Sequence, residues 1–137
     1  MTQINAYVGF NGKCREAMRF YQECLGGELA LQTIEESPIA AQCPSAMQHQ
    51  ILHSSLSKGS LLLLGSDMVG PDGYTKGNNV ALSLNCCSED EINSFYTKLS
   101  AGGKIMDPLK EQFWGALFAA FTDKFGINWI LNYNKNQ

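Results

Sequence analysis

The residues able to carry chemistry are few: 2 histidines, 5 cysteines and 13 Asp or Glu in 137 residues. His49 and His53 are four apart. On a helix that spacing could clamp a metal. Pro44, Ile51 and the alternation through Leu52–Leu56 favour a strand, where the two would share a face but lie ~13 Å apart. Glu35 and Glu36 are neighbours, so on a strand they point to opposite faces and cannot work as one carboxylate pair. Gly65-Ser66-Asp67 lacks the strand–turn–helix setting of a nucleophile elbow. Cys86-Cys87 ends a strand just before a helix start, where a thiolate can have a lowered pKa; an inert junction thiol is the competing reading. No C-x-x-C spacing occurs, and an odd number of cysteines fits reduced thiols in a cytoplasm better than a disulfide framework or a zinc site.

These side chains must be positioned by strands and two helices. Ile4, Ala6, Val8 and Phe10 alternate with Asn5, Tyr7 and Gly9, the pattern of a half-buried strand. Residues 14 to 25 have helical spacing, with Ala17, Phe20, Tyr21, Cys24 and Leu25 near one face, and Gly26-Gly27 stops them. Glu28 to Ile34 reads as a strand, and 35 to 46 as a loop. Gln48 to Leu56 and Ser60 to Leu64 read as two strands joined by Ser57-Lys58-Gly59. Residues 67 to 78, rich in Gly, Pro, Asp and Asn, read as a linker. Beyond it Val80, Leu82 and Leu84 face one way and Asn79, Ala81 and Ser83 the other. Ser88 and Glu91 form a capping box ahead of a helix whose apolar stripe is Ile92, Phe95 and Leu99. Gly102-Gly103 ends that helix, and Lys104–Met106, Ala116–Thr122 and Asn128–Tyr133 complete the strands.

The second half therefore repeats the first. Phe20-Tyr21 and Phe95-Tyr96 occupy matching places, and a double glycine follows each helix. A period of about 75 residues exceeds a solenoid unit of roughly 20–50 and reads as duplication of one βαβββ module. The expected fold class is α+β, two tandem βαβββ modules forming a curved, mostly antiparallel sheet around a cleft. The domain reading is a single domain over 1–137, with module one at 1–67, a linker at 68–78 and module two at 79–137. Hydrophobic residues at 45% and charged residues at 17% are ordinary globular composition. A net charge of -3 with scattered basic residues argues against nucleic acid. No apolar run reaches the ~18 residues of a membrane span, and Met1 to Val8 lack the pattern of a signal peptide. A cytoplasmic location is expected.

Three stretches carry a family resemblance. They are Phe10-Asn11-Gly12 with Arg15-Glu16-Ala17, Phe20-Tyr21 and Leu25-Gly26-Gly27; His53-Ser54-Ser55-Leu56 with Gly59 and Ser66-Asp67; and Trp114-Gly115 with Thr122-Asp123-Lys124-Phe125-Gly126-Ile127-Asn128-Trp129. With the element order they make the chain resemble the vicinal-oxygen-chelate (glyoxalase/bleomycin resistance/dioxygenase) superfamily. The nearest likeness is to its PhnB-like, demethylubiquinone methyltransferase-like branch. The methyltransferase label lacks a physical basis here, because no glycine-rich strand-to-helix turn of a parallel sheet occurs. The resemblance implies a cleft that in superfamily enzymes holds a divalent metal with His, Gln and Glu from four strands. Here the usual histidine of the fifth strand matches Asn79 and the usual glutamate of the eighth matches Ile130. The first strand offers Asn5, Tyr7 and Gly9, and Leu61 to Gly65 hold no carboxylate. No metal ligands and no cofactor are therefore expected.

The ligand-binding residues expected are Asn5, Tyr7, His53, Asn79, Trp114 and Ile130, with Ser83, Asn128 and Asn132 on the same polar face. Trp114 is placed at the cleft lip, core packing being the alternative; Trp129 is placed in the core with Leu131 and Tyr133. Such a lining offers hydrogen bonds and little charge, which suits a neutral organic molecule and supplies no obvious acid and base. The expected function is a metal-free PhnB-like binder of a small organic molecule, acting as a homodimer. The alternative is a metal-dependent glyoxalase- or dioxygenase-type enzyme with atypical ligands, and whether any reaction is catalysed stays open.

Overall fold

The computed structural model describes residues 2–135. Its elements follow the order β1 (Ala6–Gly9), α1 (Cys14–Leu25), β2 (Glu28–Thr33), β3 (Ile51–Lys58), β4 (Leu61–Ser66), β5 (Leu82–Asn85), α2 (Glu89–Leu99), β6 (Lys104–Glu111), β7 (Ala116–Thr122) and β8 (Asn128–Asn134). Two single-turn 3₁₀ segments, Ala40–Gln42 and Ser45–Met47, lie in the loop before β3. This is the expected βαβββ-βαβββ order. The strands form two four-stranded sheets, β1-β4-β3-β2 and β5-β8-β7-β6. Each sheet is mixed: β1–β4 and β5–β8 pair parallel, and the other neighbours pair antiparallel. The chain divides into two compact units, the first ending at Thr75 and the second beginning at Lys76.

In the first unit α1 lays Cys14, Ala17, Met18, Tyr21 and Leu25, all buried, against one face of the sheet, where Ile51, Leu56 and Leu63 are buried too. Lys13 at the helix start gives no side-chain cap. The cap comes from far along the chain. Buried Asp67 accepts the Gly12 and Cys14 N–H groups on Oδ1 at 2.7 and 2.8 Å, and the Ile51 N–H on Oδ2 at 2.9 Å. One carboxylate so satisfies donors at the helix N-terminus, where negative charge is favoured, and fixes the start of β3.

In the second unit α2 packs on β7 and β8, with Ile92 and Leu99 of the helix and Ala119, Phe121, Trp129 and Leu131 of the strands all buried. Tyr96 meets Phe121 edge-on, with ring centroids 6.0 Å apart. The capping box forms. Ser88 Oγ accepts from the Glu91 N–H at 3.1 Å, while Glu91 Oε1 accepts from the Cys87 N–H, one residue earlier than the usual reciprocal bond. The β7–β8 turn is organised by buried Asp123. Its Oδ1 accepts the Phe125 and Ile127 N–H groups at 2.8 and 3.1 Å, and its Oδ2 accepts the Trp129 indole N–H at 2.8 Å. The stretch Thr122–Trp129, the most specific part of the resemblance, thus builds a turn.

The repeated double glycine has a steric reason. Gly26 and Gly102 take φ +81° and +78°, the left-handed region. At the second glycine of each pair a Cβ would collide with a backbone carbonyl of the neighbouring hairpin, that of Ser57 at Gly27 and that of Thr122 at Gly103.

Some boundaries differ from expectation. The β3–β4 hairpin extends to Lys58 and Leu61 and turns at Gly59-Ser60; at its other end β3 starts only at Ile51, and His49 lies in the turn before it, not on a strand with His53. β6 reaches Glu111 through Pro108, twice shifting register. It is an edge strand, where a missing N–H is tolerated, and its bulges erase the alternation a sequence reading needs. Ile4 and Val80 are not core residues: both precede their strands, at 101% and 69% exposure. In the second unit β8 offers pairing only from Trp129, opposite Leu82, so Val80 has no strand to join.

Candidate functional site

Each sheet has a face that its own helix leaves uncovered. In the first unit strand alternation puts Tyr7 of β1, Leu64 of β4, and His53 and Ser55 of β3 on that face, with Tyr7 paired to Leu64 and Leu64 to Ser55. Tyr7 Oη and His53 Nδ1 are 3.5 Å apart, at the outer limit of a hydrogen bond, and the rings are tilted at 5.9 Å between centroids. Asn5 is exposed and lies one residue ahead of β1. His49 contributes its carbonyl, which accepts from Arg15 at 3.2 Å.

The second unit carries a groove of about 260 Å³ on its uncovered face. Its floor and walls are Val80, Ala81, Met106, Ala120, Phe121, Trp129 and Ile130, and its polar lining is Asn78, Asn79 and Asn128. Ile130 pairs with Ser83 on one side and Ala120 on the other, so it sits mid-sheet. Asn79 lies in the irregular segment before β5. In the register of the repeat, the residue preceding β5 as Asn5 precedes β1 is Ala81, so Asn79 is two residues further out. Asn128 is held from two sides: Thr122 Oγ1 donates to its Oδ1 at 2.7 Å, and its Nδ2 donates to the Val80 carbonyl at 3.4 Å. Among the described residues no Asp, Glu, Lys, Arg or His lines the groove.

Trp114 is half exposed at the β6–β7 turn and does not line this groove. It meets Phe113 edge-on at 4.8 Å and Phe118 at 6.1 Å. Phe118 shares the uncovered face with Ala120, two residues along β7, so this aromatic cluster stands on the groove side of the sheet. Trp129 is 2% exposed and belongs to the core, as its alternation with Ile130 indicated. The sequence reading placed Val80 in the core and ended β6 at Met106, and so missed Val80, Met106, Ala120 and Asn78 as groove residues. Val80 alternates like a strand residue, and nothing local reveals that β5 starts only at Leu82.

Of the metal positions implied by the resemblance, Asn79 lies ahead of β5 and Ile130 stands mid-sheet beside Ser83; in the first unit the inner strands pair Tyr7 with Leu64. Leucine and isoleucine offer no donor atom, and a hydroxyl or phenol does not replace imidazole and carboxylate. Among the described residues no three His, Cys, Asp or Glu side chains come together. The donor set does not fit a divalent metal of this kind.

Nor is there an activated thiol at Cys86: burial, with Glu91 and then Cys87 adding to it, pushes Cys86 up to about 12. Burial likewise raises Cys14 to about 11, although its Sγ lies 3.3 Å from Ser54 Oγ.

The family model for the Glyoxalase/Bleomycin resistance protein/Dioxygenase superfamily matches residues 3–131. The chain belongs to this superfamily. It is 32% identical to Protein YjdN of Escherichia coli (strain K12), covering 98% of this chain and 97% of that protein. Among solved structures, protein PA1353 from Pseudomonas aeruginosa superimposes with a TM-score of 0.85 at 37% identity, covering 98% of each chain. A PhnB protein from Bacillus cereus, which carries the name 3-demethylubiquinone-9 3-methyltransferase, gives 0.74 at 22% identity over 96% of this chain and 99% of that one, a likeness of fold. No helix among the described residues is long and apolar enough to cross a membrane.

Proposed function

We propose that this superfamily member binds a small, uncharged, largely apolar organic molecule and holds no chelated metal, in the manner of a PhnB-like protein. One observation carries the reading: a mostly apolar groove of about 260 Å³ whose polar side chains, among the described residues, are those of Asn78, Asn79 and Asn128. A desolvated charge would find no partner there and would cost several kcal/mol, whereas apolar surface gains about 25 cal/mol per Å² buried. Tyr7 and His53 supply a second polar patch in the first unit, and Asn5 and Trp114 flank the two faces. The single-domain reading over 1–137, with a linker at 68–78, belongs to the same proposal.

A homodimer also belongs to it. The fully exposed Ile4 and Phe113 are apolar area that a second copy would bury. A cytoplasmic location is supported by cysteines that form no disulfide among the described residues.

The test is a melting-temperature screen of protein purified without chelators, against uncharged aromatic compounds and against Mn, Fe, Ni and Zn salts, with metal content measured. Stabilisation by uncharged organics and less than stoichiometric metal is expected. A compound at 100 times its Kd adds about 2.7 kcal/mol. Stoichiometric metal whose removal destabilises the protein overturns the reading in favour of a metal-dependent enzyme.

A further inference from the structure

We infer that the groove selects ligands carrying a carbonyl or another hydrogen-bond-accepting oxygen, and that Asn128 is the residue that selects them. The inference rests on the groove being a binding site and names the ligand class it takes.

A side-chain amide can present either its C=O or its NH₂, and usually the surroundings decide. At Asn128 two neighbours decide, and they agree. The Val80 backbone carbonyl, 3.4 Å from the amide, can only accept, so the NH₂ must face it. That turn of the amide leaves Oδ1 toward Thr122, whose hydroxyl donates to it at 2.7 Å. With the amide flipped, two acceptor oxygens would face each other at the Val80 side. The orientation is thus set by a backbone group that cannot change roles.

The consequence lies in the remaining proton. The NH₂ has two hydrogens, and Val80 takes one. The second has no protein partner among the described residues, and Asn128 lines the groove. Oδ1 accepts from Thr122 and keeps a second lone pair, whereas the second N–H has no protein partner among the described residues. Asn128 therefore offers the groove an unused donor. An apolar molecule with a ketone, ester or amide oxygen matches that donor. The same molecule with a methylene in place of the carbonyl leaves the N–H without a partner once water is displaced, which is the costly half of a hydrogen bond.

Acetophenone and ethylbenzene are matched probes, alike in size and differing in the acceptor. Each is titrated into the full-length protein and followed by the backbone amide shifts of Ala120 and Ile130. Acetophenone should bind about 2- to 10-fold more tightly, the range of one net hydrogen bond. In Asn128→Leu, which keeps the branched shape but has no N–H and no charge, the preference should vanish while ethylbenzene binding persists. Asn128→Ala gives the same comparison should the leucine variant not fold. Equal affinity of the two probes for the unaltered protein overturns the inference and leaves the groove reading intact. A preference that survives in the Asn128 variants and disappears in Asn79→Ala transfers the role to Asn79 and overturns it as well. Failure of both probes to bind removes the groove reading and this inference together.

Discussion

Trp129→Phe is the substitution that tests how the second unit is held together. Trp129 is 2% exposed and its indole N–H donates to Asp123 Oδ2 at 2.8 Å. Phenylalanine keeps one six-membered ring and gives up roughly a third of a side chain that buries about 200 Å², so about 1.5 kcal/mol of apolar burial is lost. Loss of a hydrogen bond to a charged group adds about 1.5–3 kcal/mol. The expected cost is therefore about 3–4.5 kcal/mol, a large share of a stability of about 5–15 kcal/mol. Trp114→Phe is the internal control. Its ring is half exposed, so the same truncation should cost under about 1 kcal/mol. The assay is urea unfolding of both variants at neutral pH, with the midpoints compared at constant m. Trp129→Ala should cost more than Trp129→Phe, because it removes the whole buried ring system. The double variant Asp123→Asn with Trp129→Phe should cost less than the sum of the singles, because the two changes remove one shared bond. If Trp114→Phe destabilises as much as Trp129→Phe, the strand phase is reversed and the groove assignment falls with it.

Asp67→Asn should destabilise the first unit by about 2–4 kcal/mol, because an amide cannot accept on both sides and its NH₂ would face the Ile51 N–H; thermal unfolding measures it. Ser88→Ala should cost about 1 kcal/mol through the lost cap of α2, read in the same melts. The thiols of Cys14 and Cys86 have folded pKa values raised to about 11 and about 12 from an ordinary 9.0. Their protonated forms are favoured in the folded state, so the stabilisation is complete below pH 9 and is lost as pH rises through 11 to 12. Melting temperature should fall over that alkaline range, and less steeply in Cys86→Ala; an unchanged slope in that variant refutes the assignment to Cys86. If a ligand occupies the groove, Asn79→Ala should weaken it by about 0.5–1.5 kcal/mol in calorimetric titration.

The sequence alone determined the elements whose cause is local. Helix α1 has the bounds its 3.6-residue spacing and closing glycines indicated, and β7 has the bounds its flanking turns indicated, because those signals lie within the element itself. The duplication was legible for the same reason: the aromatic pair and the double glycine recur in order. The phase of β8 was also readable, since Trp129 and Leu131 alternate with Asn128 and Ile130. What only the tertiary structure decided are matters of partners far along the chain. β5 starts at Leu82 because β8 offers no earlier pairing, which turns Val80 from an apparent core residue into a groove wall. β6 runs through Pro108 because it lies at a sheet edge. Asp67 caps a helix more than fifty positions upstream. The direction in which the Asn128 amide faces is fixed by the carbonyl of Val80, 48 residues before it. Hydrophobic period is a property of neighbours in sequence, whereas hydrogen-bond satisfaction is a property of neighbours in space, and the groove of this protein depends on the second.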